Sequence, residues 1–80
     1  MNFIPRSEVV DVFENNGGTW MGITFVTQDN RERTINGRPV KPEPNANGYV
    51  RFATSDGSYR NINTQRVLNM TSRGYCYDMA

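Results

Sequence analysis

Eighty residues with nine cationic and eight anionic side chains, a formal net charge of +1, leave room for one domain and exclude a global field that would draw the chain to nucleic acid or membrane. Apolar residues at 36% and charged residues at 21% exclude a disordered chain, although a domain of this size buries only about 60–65% of the surface its unfolded chain exposes. With no histidine and one cysteine, Cys76, the chain lacks the commonest general base and metal ligand and has no internal disulfide, so a reducing compartment is expected.

Met1 to Pro5 reads as a short extended lead-in. It contains no apolar run of signal-peptide length, and no stretch of the chain is long enough to span a bilayer, so a soluble intracellular protein is expected. A helix is predicted over about residues 7–15. Ser7 after Pro5 reads as its N-cap, and Glu8 places a negative charge in the first turn. Val9, Val10, Val12 and Phe13 fall on one helical face, with Asp11 and Glu14 facing away. The β-branched valines also suit a strand, but Asn15, Asn16, Gly17 and Gly18 supply a helix end.

From Thr19 the apolar period becomes two, with Met21, Ile23 and Phe25 on one face and Trp20, Thr24 and Val26 on the other. The segment "ITFVTQDNRERTIN" (residues 23–36) is then echoed 27 residues later by "VRFATSDGSYRNIN" (residues 50–63). Phe25 matches Phe52, Thr27 matches Thr54, Asp29 matches Asp56, Arg33 matches Arg60, Ile35 matches Ile62 and Asn36 matches Asn63. Each copy reads as a β-hairpin. Phe52 and Ile62 share a face only if the loop holds an odd number of residues. A three-residue loop Ser55-Asp56-Gly57 meets that condition and puts Gly57 where a left-handed residue is needed; Gln28-Asp29-Asn30 does the same with Asn30. The resulting register sets Ile23 opposite Ile35, Phe25 opposite Arg33, Val50 opposite Ile62 and Phe52 opposite Arg60. Between the hairpins, "GRPVKPEPNANG" (residues 37–48) is predicted to be an irregular surface loop. A tight turn over Thr64 to Arg66 and a short strand Val67 to Met70 follow. The tail, residues 71–80, breaks at Gly74, and its Tyr75 and Tyr77 either pack back or form an exposed aromatic surface.

The run "EVVDVFENNGGTWMGITFVTQDNRERTINGR" resembles the opening of small phage proteins with a WYL-type, Sm-like (SH3-like) β-barrel domain: a short acidic helix, a valine- and phenylalanine-rich strand, an Asp-containing turn and an Arg-x-hydrophobic-Asn step. "YVRFATSDGSYRNINTQRVLNM" resembles their closing half, and the likeness covers about Glu8 to Met70. The resemblance implies a mainly β fold with one N-terminal helix, a small five-stranded bent barrel over about residues 19–70, and a phage protein in the cytoplasm of an infected bacterium. The Trp-Tyr-Leu triplet of the broader class is absent, the first turn has Asp29-Asn30 in place of Asp-Gly, and the tail has no counterpart. The family carries no agreed catalytic residues to transfer.

Catalytic chemistry is not expected. Cys76 has no visible activating partner, the carboxylates lie in turns (Asp29, Asp56) or on the helix, and "NGGTW" lacks the spacing of a phosphate loop. No cofactor or metal is expected either. The cations, however, are eight arginines against one lysine, and residues 31–73 hold eight of them against Glu32, Glu43 and Asp56. Arginine suits bidentate phosphate recognition, and small barrels commonly hold single strands with rings and arginines. The candidate nucleic-acid contacts are therefore Arg31, Arg33, Lys41, Arg51, Tyr59, Arg60 and Arg66. The plainer reading of Arg33 and Arg60 is that each packs its stem on the facing phenylalanine and pairs with the nearby turn aspartate. A different class of function is a phage factor that binds and inhibits or redirects a host transcription, nucleic-acid or defence enzyme, through the Pro-rich loop around Val40, an open strand edge or the tail from Tyr75. Edge pairing between barrels would also allow a homo-oligomer.

Overall fold

In the computed structural model, which describes residues 2–16, 18–41 and 44–79, the 27-residue echo folds as two antiparallel hairpins. Strands β2 (Met21–Val26) and β3 (Glu32–Lys41) form the first; β4 (Tyr49–Thr54) and β5 (Tyr59–Asn63) form the second. The four expected cross-strand pairs are all present: Ile23 with Ile35, Phe25 with Arg33, Val50 with Ile62 and Phe52 with Arg60. Both loops hold three residues. Asn30 (φ 64°) and Gly57 (φ 88°) take the left-handed position, and the amides of Thr27 and Thr54 close the loops onto the carbonyls of Arg31 and Ser58.

Three elements complete the chain on the N-terminal side: β1 (Asn2–Ile4), a 3-10 turn over Arg6–Glu8, and α1 (Val9–Asn15). The helix begins later than expected and Ser7 is not its N-cap, because Pro5 first opens the 3-10 turn and Glu8 takes the cap position without a side-chain bond. Val9 and Phe13, one turn apart, are buried, and Phe13 meets Phe52 edge-on at 5.2 Å and 77°. Such a pair adds about 0.5–1.5 kcal/mol beyond its area burial. The helix ends on Asn16, which is fully buried. Its amide donates to the Thr19 carbonyl, and its Oδ1 accepts from the Ser72 hydroxyl at 2.7 Å, which ties the helix end to a distant strand.

A 3-10 turn over Thr64–Arg66, with the Gln65 amide donating to Asn63 Oδ1 at 2.9 Å, leads into β6 (Val67–Ser72), and β7 (Tyr75–Met79) follows. The architecture is mainly β with one short N-terminal helix, as expected, but it is not a five-stranded closed barrel. Seven strands form one open sheet in the order β1-β7-β6-β2-β3-β4-β5. The expected tail is a strand because Arg73 and Gly74 both have positive φ (53° and 83°), the backbone of a two-residue hairpin turn. The lead-in is also a strand, parallel to β7.

The connection over residues 37–48 differs as well. β3 continues through Gly37, Arg38, Pro39 and Val40 to Lys41, paired with β4 and interrupted by a bulge between Pro39 and Lys41. A bulge accommodates proline within a ladder. Gly37 is needed for the close approach of the two strands, since a Cβ there would lie 2.5 Å from the Ala53 carbonyl oxygen. Pro42 and Glu43 of the expected loop lie outside the described residues. The concave side of the sheet and α1 enclose the core, which includes Ile4, Val9, Phe13, Met21, Ile23, Phe25, Val50, Phe52, Ile62, Val67 and Met70, with Ile35 half-buried against it.

Candidate functional site

Alternation along a strand sorts the cations between two faces. On the convex face, Arg51 sits two residues from Ala53, and these pair with Lys41 and Arg38 on β3. The bulge at Val40 makes this possible. Residues three apart in an unbroken strand point to opposite faces, and the extra residue returns Lys41 to the side of Arg38. Lys41 therefore lies directly across from Arg51, a like-charge pair that costs stability in a sheet. All three cations are exposed, and among the described residues none is in an ion pair. The Arg51 guanidinium lies 4.6 Å from the centre of the Tyr59 ring, which is 61% exposed. A cavity of about 420 Å³ next to this row is lined by Val40, Lys41, Tyr49, Arg51 and Asn61, among others.

Arg33 and Arg60 belong to the concave face, each opposite a phenylalanine. The Arg60 guanidinium does not cover its own partner Phe52; it reaches Phe25 of the other hairpin, 6.0 Å from the ring centre. Arg33 and Arg60 line one cavity of about 370 Å³ between the first half of β3 and the β4–β5 tip. The two remaining candidates are engaged locally. Arg31 pairs with Asp29 at 3.3 Å, and Arg66 donates to the Thr27 carbonyl at 3.1 Å.

The turn aspartates do not hold Arg33 and Arg60 as the plainer reading expected. Asp56 Oδ1 accepts from the hydroxyls of Thr54 and Ser58 and from the Ser58 amide. The Thr54 hydroxyl, then the Ser58 hydroxyl and amide, lower the carboxyl from its ordinary 3.8 to about 2. The equivalent Asp29 accepts from Thr27 and pairs with Arg31, the residue that replaces Ser58 in the first copy.

Sequence reasoning passed over Arg38, because Gly37 and Pro39 on either side marked it as loop. It also passed over the structural arginines: Arg6 donates to the carbonyls of Thr64 and Val67 at 3.1 and 2.8 Å, and Arg73 to that of Asn15 at 3.3 Å. Elsewhere, Phe3, Trp20, Val40 and Tyr75 are exposed apolar side chains, whereas Tyr77 packs against the core. Among the described residues no helix is long and apolar enough to cross a membrane. Compared with known proteins, the chain matches no family model, no curated protein and no solved structure.

Proposed function

We propose that this chain is a non-enzymatic binding module that holds single-stranded nucleic acid along the convex face of β3, β4 and β5. The observation that carries the reading is the Lys41–Arg51 pair, two like charges set face to face with Arg38 in the next row and no acid beside them among the described residues. A phosphate backbone laid along this row relieves that repulsion, and Tyr59 offers an exposed ring on which a base stacks, worth about 1–3 kcal/mol. The kinship with small phage proteins of the WYL-type, Sm-like class is part of the proposal. The order helix, hairpin, hairpin, 3-10 turn, strand from α1 to β6 supports it.

Fluorescence anisotropy with a labelled oligothymidylate or oligouridylate tests the reading. With three phosphates neutralised, log K falls with log salt with a slope of about −2, and Lys41→Ala or Arg51→Ala each reduces the slope by about 0.7. No binding at low salt rejects the proposal. A second reading, a host protein as partner, is favoured by Val40 and Tyr75, 49% and 60% exposed, and by the open edges of β1 and β5. Recovery of one stoichiometric protein from host lysate, lost in Val40→Asp or Tyr75→Ala, would support it. Self-pairing of those edges would show instead as a concentration-dependent mass in solution.

A further inference from the structure

The duplication has a chemical consequence on the concave side. Arg33 and Arg60 occupy equivalent positions in the two copies, and both line one cavity of about 370 Å³ between the first half of β3 and the β4–β5 tip. Among the described residues neither guanidinium has a hydrogen-bonded or ion-paired partner. Asn36 and Ser55 also line the cavity, joined by the Ser55 amide donating to the Asn36 carbonyl at 2.9 Å. Its one described acid, Asp56, has its Oδ1 turned into its own loop, where it accepts from Ser58 at 2.8 and 3.1 Å. Two guanidiniums beside one recess, that of exposed Arg33 and that of Arg60 resting over the Phe25 ring, form the donor set that recognises a phosphate or carboxylate oxygen.

We propose that this cavity binds a phosphate monoester, and that its occupant, on the nucleic-acid reading above, is the terminal phosphate of the bound strand. Charge favours a monoester over an internal diester: the monoester carries about −1.5 to −2 at neutral pH, against −1 for the diester. Connectivity favours it too. Tyr59 borders the cavity and also lies under Arg51 on the convex face, so a strand lying along that face reaches the cavity at its end. An internal phosphate would need chain leaving the recess on both sides.

The test compares one oligothymidylate in three forms, 5′-phosphorylated, 3′-phosphorylated and with hydroxyl ends, at one salt concentration, together with thymidine monophosphate. One phosphorylated form binds about tenfold more tightly than the hydroxyl form, the gain expected of charge-assisted bonds to a dianion. Arg33→Ala removes that gain, so that the phosphorylated and hydroxyl forms then bind with the same affinity. Arg51→Ala weakens all three forms and keeps their ratio. Arg33 is exposed, so its replacement leaves the fold intact, with thermal melting as the check; Arg60→Gln is the companion variant. Equal affinity for the three forms with no binding of the monophosphate, or a gain that survives Arg33→Ala, overturns the assignment. If oligonucleotides fail to bind but thymidine monophosphate binds and Arg33→Ala abolishes it, the cavity stands as a monoester site and the strand-binding proposal falls.

Discussion

Asp56 illustrates how much a single side chain can be set by its loop. Three donors from Thr54 and Ser58 favour the carboxylate, and its pKa falls from 3.8 to about 2. A depressed carboxyl contributes stability that is fully present above the unfolded-state value and is lost as pH falls through the folded one. Stability measured by urea melting should therefore decline between about pH 4 and pH 2 through this group. In Asp56→Asn the decline over that window should be shallower; an unchanged acid limb would show that the three bonds are not kept in solution. Asn16 is the contrasting residue. From sequence it was one of four residues that end a helix, and nothing local announces that it is fully buried or that its partner Ser72 lies 56 residues away. Long-range polar pairs of this kind have no periodicity and leave no trace in a single sequence.

At the level of the element, the two hairpins were legible because two independent constraints agreed. Period-two burial fixed which faces had to match, and the loop residue with positive φ fixed the loop length. Asn30 carries that φ with a side chain, and Gly57 without one. Asn30→Gly should therefore raise stability, by up to about 1 kcal/mol, whereas Gly57→Ala should lower it by about 1–2 kcal/mol. Urea melts of the two variants test whether the loops are as equivalent as their backbones. The second half of β3 was not legible for the opposite reason. Gly37 and Pro39 read as punctuation, yet one permits the approach to Ala53 and the other sits at a bulge. The convex row of Arg38, Lys41 and Arg51 depends on that same bulge, so the site could not be assembled while the segment was taken for a loop. Gly74 misled in the same way: a glycine that marks a break also suits a two-residue turn between paired strands.

Across the whole molecule, a near-neutral net charge conceals an uneven surface, with Arg38, Lys41 and Arg51 in one row and Arg33 and Arg60 lining one cavity. The open sheet also makes its last strand structural. Deleting residues 73–79 removes Tyr77 and Met79 from the edge of the core and leaves β1, with its buried Ile4, without a partner. Full burial of a side chain is worth roughly 1.5–3 kcal/mol; with Ile4 buried and Tyr77 and Met79 half-buried, the loss is a large share of the roughly 4–12 kcal/mol typical of 80 residues. The truncated chain should show no cooperative thermal transition by circular dichroism, whereas a self-sufficient five-stranded unit would keep one. The same parallel pairing of β1 with β7 decides how the molecule answers a mechanical load. Tension applied through the chain before Asn2 and after Met79 pulls the two strands past each other along their length. The backbone bonds joining Asn2, Phe3 and Ile4 to Tyr77, Asp78 and Met79 are then strained together in shear, not peeled open one at a time.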